Sequence, residues 1–116
     1  MQIEVMRSKP RVVRVSGEID ITNSAQLGIA LDMAVRESPK GVVVDMSKVT
    51  YLDSTGIHTL LVSCRRLTPH GGKLVLVVEH PNVRRILDIL HLDKLAGLTV
   101  YRDVPSAEQA FSTVQV

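Results

Sequence analysis

The chain has 116 residues, of which 45% are hydrophobic and only 3% aromatic, so we expect one domain with a core of Val, Leu, Ile and Ala. A formal net charge of +2 without a concentrated basic run argues against binding to nucleic acid or a membrane surface, and no apolar run approaches the ~20 residues of a spanning helix. The single cysteine, Cys64, excludes an intrachain disulfide and a Cys-rich zinc site, and the start lacks a signal peptide's apolar stretch, so we expect a cytoplasmic protein.

The first third of the chain predicts two strands and a helix. Residues 2–7 are a weak strand candidate, and the largely β-branched residues 11–16 predict a strand that pairs with it antiparallel and ends at Gly17. Apolar residues at helical spacing then predict a helix over 23–36, for which residues 22–24 offer three candidate caps.

The rest of the chain alternates buried strands with amphipathic helices. The predicted strands are 42–46, 74–78 and 98–101. The predicted helices begin near Ser54, Pro81 and Pro105. The helix at Ser54 carries an apolar stripe of Ile57, Leu60, Leu61, Cys64 and Leu67. The last two helices are expected to turn inward Val83, Ile86, Leu87, Leu90, Ala107, Ala110, Phe111 and Val114.

The resulting order, β-β-α-β-α-β-α-β-α, predicts an α/β fold with a mixed, mostly parallel sheet and helices packed on it. In such sheets, binding sites lie beyond the carboxyl ends of the strands. The loop after 42–46 and the turn after 11–16 occupy that edge, so these are the two segments in which a site is expected.

The strongest local feature is segment 51–57, Tyr-Leu-Asp-Ser-Thr-Gly-Ile, which joins a buried strand to an amphipathic helix. Asp53 or Ser54 would cap that helix, and the Ser54 hydroxyl would lie at its positive end. The segment could be no more than an N-cap of the helix. A functional role is favoured by Gly56, because glycine lowers helix stability by about 1 kcal/mol relative to Ala but lets another backbone approach closely.

Catalytic interpretations of this segment are weaker. Aspartic proteases carry Asp-Thr-Gly, which is one residue shorter, and no second copy follows in the chain. A nucleophilic Ser54 needs a base, and His58 at i+4 shares its helix face but has no third group to orient it. The remaining histidines lack metal-ligand spacing, and Cys64 is expected to be core. The sequence therefore predicts no enzyme, no cofactor and no metal.

The second feature is the turn Gly17-Glu18-Ile19-Asp20. Two carboxylates two residues apart either bind a metal as a pair or belong to a solvated turn, and taken alone the turn is favoured. The turn gains interest because it lies at the sheet edge that could also present Ser54.

Together these two segments resemble the STAS family, specifically the bacterial anti-sigma-factor antagonists. Those proteins carry Gly-Glu-hydrophobic-Asp after the second strand, matched by residues 17–20, and hydrophobic-Asp-Ser-(Ser/Thr)-Gly-hydrophobic, matched by residues 52–57. The similarity continues at 71–72, 83–87, 91–94 and 105–110. It spans essentially the whole chain and implies a single STAS domain over 1–116.

The resemblance implies a partner switch. The unphosphorylated antagonist binds an ATP-binding serine kinase that doubles as an anti-sigma factor, which frees the sigma factor; phosphorylation breaks the complex, and a PP2C-type phosphatase restores it. By family position the acceptor is Ser54, with Thr55 as the alternative. The implied partner-binding residues are Glu18, Asp20, Asp53, Ser54, Thr55, Gly56, Ile57 and His58. His58 replaces a small residue of the family, which narrows the choice of kinase.

Two other functions stay open at this point. One is a STAS protein of another partner switch, namely secretion control, a stressosome scaffold or a lipid-transport accessory subunit. The other is a small hydrolase that uses Ser54. For the leading interpretation we expect no nucleic-acid or membrane partner, and a monomer or weak homodimer.

Overall fold

The computed structural model describes residues 1–112, without the side chains of residues 108 and 110–112. It contains five strands and four longer helices. The strands are β1 (Gln2–Met6), β2 (Arg11–Ile19), β3 (Gly41–Leu52), β4 (Lys73–Val77) and β5 (Leu98–Tyr101). The helices are α1 (Ser24–Glu37), α2 (Ser54–Leu67), α3 (Pro81–Ile89) and α4 (Val104–Ser112). Short 3-10 turns occupy Thr68–His70 and Leu92–Lys94.

The strands form one sheet in the order β1-β2-β3-β4-β5. β1 runs antiparallel to β2, and every other neighbouring pair is parallel. The predicted α/β fold with a mixed, mostly parallel sheet is therefore confirmed. The larger core joins one face of the sheet to α1, α2 and α3, whereas Ala107 of α4 packs on Val12, Val43, Val75 and Val77 of the other face.

β2 and β3 run further than the sequence predicts. β2 does not end at Gly17 but passes through it, with φ at +90° and shifts in register on both sides, to Ile19. β3 does not end at residue 46 but continues to Leu52. The pairing of β3 with β4 ends at Asp45 and Val77, whereas its pairing with β2 continues to Leu52. The second half of β3 is therefore held by β2 alone, and its polar residues face solvent on the side where β4 has ended.

The helices confirm most of the predicted inward positions. In α2, three stripe residues are buried and the other two are half-buried against the core: Leu60, Cys64 and Leu67, then Ile57 and Leu61. In α3, Val83 and Leu87 are buried and Ile86 is half-buried, but Leu90, which follows the last residue of the helix, is exposed. In α4, Ala107 is buried, and the expectations for the Ala110 and Phe111 side chains and for Val114 lie outside the described residues.

Candidate functional site

The extended ends of β2 and β3 bring the two sequence motifs together. Ile19 pairs with Leu52, and the backbone N–H of Asp53 donates to the carbonyl oxygen of Ile19 at 3.2 Å. The Gly-Glu-Ile-Asp turn and the Asp-Ser-Thr-Gly segment, separated by more than 30 residues in sequence, are therefore neighbours at the carboxyl edge of the sheet.

Asp53 rather than Ser54 caps helix α2. One carboxylate oxygen, Oδ1, accepts hydrogen bonds from the backbone N–H groups of Thr55 and Gly56 at 3.0 and 3.2 Å, and from the Thr55 hydroxyl at 2.5 Å. The Thr55 hydroxyl is the main cause of a lowered pKa at Asp53, to which the backbone amides of Gly56, Thr55 and Ile21 contribute, against a smaller opposing effect of partial burial. Asp53 is thus a fixed negative charge at the start of the helix.

Two neighbouring hydroxyls have different surroundings at this cap. Ser54 is the first residue of α2 and is exposed, and its hydroxyl has no hydrogen-bond partner among the described residues. Thr55 is half-buried, and its hydroxyl is committed to Asp53. Of the two candidate acceptors, Ser54 is the one that a second protein can reach without breaking an existing bond.

The turn after β2 is held by its own side chains. The Asp20 carboxylate accepts hydrogen bonds from the backbone N–H of Thr22, at 2.9 Å, and from its hydroxyl. The Asn23 side chain accepts from the Asp20 N–H and donates to the Glu18 carbonyl oxygen, both at 2.9 Å, so this residue stands at the N-cap of α1 without capping it. Glu18 is exposed and Asp20 is half-buried, and the turn presents both carboxylates at the sheet edge.

Gly56 faces the interior rather than the surface. A Cβ atom at this position would lie 2.5 Å from Leu52 Cδ1 and 2.7 Å from Ile19 Cγ2, both of which are buried core atoms. Glycine at this position lets α2 pack closely on the ends of β2 and β3. The close approach inferred from the sequence is therefore made within this chain.

The next two residues of α2 differ in exposure. Ile57 is half-buried and packs against the core, so only part of its side chain is available to a partner. His58 is exposed one turn after Ser54, and no hydrogen bond joins the two side chains among the described residues.

Sequence reasoning missed two apolar residues at this edge. Ile21, in the turn before α1, is 76% exposed, and Tyr51, which pairs with Glu18 near the end of β3, is 49% exposed. The sequence does contain one indication of an exposed apolar residue, because the isoleucine at position 21 is flanked by Asp, Thr and Asn in a predicted turn. Both residues border the segments that carry the candidate site.

Two further properties bear on the site. Within residues 1–112, apart from the side chains of residues 108 and 110–112, no three His, Cys, Asp or Glu side chains lie close enough to hold a metal ion. In the same part of the chain, none of the helices combines the length and the apolar character needed to cross a membrane.

Comparison with known proteins identifies the family. The STAS-domain model matches residues 3–107. An anti-sigma F factor antagonist of Paenibacillus polymyxa is 28% identical over 85 residues, 72% of this chain and 73% of that protein. An anti-sigma-F factor antagonist of Mycobacterium tuberculosis is 30% identical over 83 residues, 72% of this chain and 67% of that protein. The crystal structure of an anti-sigma factor antagonist from Mycobacterium paratuberculosis matches with a TM-score of 0.84 at 31% identity, covering 94% of this chain and 92% of that one. The chain belongs to the STAS-domain family, and its relatives are named anti-sigma factor antagonists.

Proposed function

We propose that this protein is an anti-sigma-factor antagonist that works as a phosphorylation-controlled partner switch. Its unphosphorylated form binds a serine-kinase anti-sigma factor and frees the sigma factor, the kinase inactivates it by phosphorylating Ser54, and a PP2C-type phosphatase reverses the modification. The observation that carries the proposal is the exposed Ser54 hydroxyl, which is unbonded among the described residues, beside the Thr55 hydroxyl that Asp53 engages.

The surroundings of Ser54 explain how a phosphate would act. A phosphate group adds about −1.5 to −2 charges at neutral pH. The helix amides that would normally receive it, those of Thr55 and Gly56, already donate to Asp53. The phosphate is therefore left largely uncompensated at the surface rather than drawn into the helix end, and the fold need not change.

The local charge pattern strengthens this effect. Segments 17–24 and 50–60 contain three carboxylates, at residues 18, 20 and 53, and no Lys or Arg. A partner that buries this surface would have to desolvate a dianion to which these two segments offer no Lys or Arg. A change from 99:1 to 1:99 between bound and free needs about 5.5 kcal/mol, and burial of an unpaired charge can exceed that.

The proposal is tested with the anti-sigma serine kinases of the source organism, purified one at a time and incubated with the protein and ATP. We expect one phosphate on Ser54 by peptide mapping, none in Ser54→Ala, and full modification in Thr55→Val. The phosphorylated protein should lose the kinase in a binding assay, and a PP2C-type phosphatase should restore it. Phosphate on no residue of 53–56 in the presence of every such kinase would contradict the proposal.

A further inference from the structure

Ile21 is the most exposed large apolar side chain among the described residues, at 76%. It lies in the turn between β2 and α1, where its neighbours Asp20 and Thr22 are polar. Two residues earlier, the carbonyl oxygen of Ile19 accepts a hydrogen bond at 3.2 Å from the backbone N–H of Asp53, the residue directly before Ser54. The backbone amide of Ile21 also contributes to the lowered pKa of Asp53. Ile21 therefore lies beside the proposed phosphorylation site with its side chain in solvent.

The turn that carries Ile21 is fixed by hydrogen bonds on both sides of that residue. The Asp20 carbonyl oxygen accepts from the backbone N–H groups of Asn23 and Ser24 at 3.1 and 2.9 Å. The Asp20 carboxylate accepts from the Thr22 N–H, and the Asn23 side chain accepts from the Asp20 N–H, each at 2.9 Å. A side chain on a turn ordered in advance loses little backbone entropy when a partner covers it.

The charges around Ile21 determine the kind of partner that fits. The adjoining segments carry three carboxylates and no Lys or Arg. A second copy of this chain would set those carboxylates against the same carboxylates, and like-charge contact of this kind disfavours association. The complementary surface is an apolar pocket with Lys or Arg at its rim, which belongs to a different protein.

We propose that Ile21 is an apolar anchor that inserts into such a pocket on the anti-sigma factor when Ser54 is unphosphorylated. This inference rests on the proposed function. It assigns the source of binding affinity to Ile21, whereas phosphorylation of Ser54 abolishes that binding. Ile21 contributes by leaving water, whereas a phosphate on Ser54 next to the same contact makes the burial unfavourable. Large side chains that enter a partner's pocket carry most of the binding energy in many interfaces.

Ile89 provides a matched control for a test of Ile21. It is the same residue type, 65% exposed, at the end of α3. Because β4 and β5 are parallel, the chain between them must return to the amino end of the sheet, so the end of α3 lies away from the edge that carries Ile21. Neither side chain is part of the core, so Ser at either position should leave the melting temperature nearly unchanged.

The experiment measures, by calorimetry, the Kd of each unphosphorylated variant for the anti-sigma serine kinase that binds the wild type. We expect Ile21→Ser to weaken binding at least tenfold, about 1.4 kcal/mol, and Ile89→Ser to stay within twofold of the wild type. Ile21→Val, which keeps an apolar group, should recover most of the affinity. In kinase assays, Ile21→Ser should raise KM for the protein substrate and leave kcat nearly unchanged.

The other outcomes separate the inference from the function on which it rests. A wild-type Kd in Ile21→Ser, or equal losses in Ile21→Ser and Ile89→Ser, overturns the anchor and leaves the partner switch intact. A homodimer that Ile21→Ser dissociates in sedimentation overturns the choice of partner. If the wild-type protein binds none of the organism's anti-sigma serine kinases, the proposed function fails and the anchor fails with it.

Discussion

The Thr55 hydroxyl donates to the Asp53 carboxylate at 2.5 Å, and this bond gives two adjacent hydroxyl residues different roles. Thr55 completes the cap of α2, whereas the Ser54 hydroxyl has no partner among the described residues. Asp53 therefore acts twice: it holds the helix end in place and occupies the amides that would otherwise neutralise a phosphate on Ser54.

Replacement of Thr55 by Val tests the bond directly. Thr55→Val keeps the branched shape and removes the hydroxyl that contributes most to the lowered pKa of Asp53. We expect the Asp53 pKa to rise toward its ordinary value, observed by NMR titration of its carboxyl carbon, because a donor to the charged form is lost. Ser54→Ala is the control and should leave that pKa unchanged. A rise in Ser54→Ala, or none in Thr55→Val, would refute this assignment of the cap.

The same cap predicts how stability depends on pH. Because hydrogen bonds lower the Asp53 pKa in the folded protein, ionised Asp53 stabilises the fold above the unfolded-state pKa of about 3.9. That contribution is lost as the pH falls through the lower folded-state pKa. Asn is also a good N-cap residue, so Asp53→Asn removes the titrating group and keeps a capping side chain.

The free energies of unfolding of the wild type and Asp53→Asn are measured by urea unfolding at several pH values. The difference in the free energy of unfolding between the two proteins should be constant above about pH 5, should change as the pH falls from there through the folded-state pKa of Asp53, and should level off below it. A difference that is the same at all pH values would mean that Asp53 stabilises the helix without its charge.

The order of elements could be predicted because each strand and helix carries its own periodicity in the sequence. The true length of β3 could not, since its apolar run stops at Met46 and the polar residues that follow look like a loop. They continue the strand because β2 still pairs with them, with Ser16 beside Lys48 and Gly17 beside Val49, where β4 is no longer present. Strand ends depend on a neighbour that is remote in sequence.

Only part of the candidate site could be predicted from the sequence, because some of its features depend on contacts between residues that are remote in sequence. Gly56 stands out in the sequence as an unfavourable helix residue, but the side chains that require a glycine there, Ile19 and Leu52, lie on two different strands, and helical periodicity cannot identify them. Ile21 does not stand out in the sequence because its exposure depends on the hydrogen bonds that shape a short turn around Asp20. Periodicity carries no information about such a turn.

Gly56→Ala should destabilise the protein by about 1–3 kcal/mol, because the added methyl group would collide with Leu52 and Ile19 in a packed core. Gly28→Ala in α1 is the matched control: its Cβ would meet only Thr59 Cγ2, at an ordinary contact distance of 3.6 Å. Alanine favours the helix there, so Gly28→Ala should stabilise by roughly 0.5–1 kcal/mol.

Chemical unfolding of these two variants beside the wild type gives both values. Equal effects at the two glycines would show that helix propensity decides both positions, which would remove the packing argument for Gly56. Any loss of partner binding in Gly56→Ala has to be measured at a temperature where the variant is fully folded, because its expected defect is in stability.

Asp20 has a role in the turn and a proposed role in partner binding. A comparison of Asp20 and Thr22 variants distinguishes these two roles. Asp20→Ala removes both the carboxylate and the hydrogen bonds it accepts from Thr22, whereas Thr22→Val removes only the hydroxyl bond and leaves the charge. Both variants should lower the melting temperature slightly, since the turn is exposed and keeps the backbone bonds from Asn23 and Ser24 to the Asp20 carbonyl oxygen.

Binding to the anti-sigma kinase should distinguish these variants. We expect Asp20→Ala to weaken the complex about tenfold or more, because it removes a carboxylate that the proposed basic rim of the partner would face, and Thr22→Val to bind within about threefold of the wild type. The loss in Asp20→Ala should also become smaller at high salt, as expected for a charge at the edge of an interface. A Thr22→Val variant that binds as weakly as Asp20→Ala would instead assign the effect to the shape of the turn, and the carboxylate would no longer count as a partner contact.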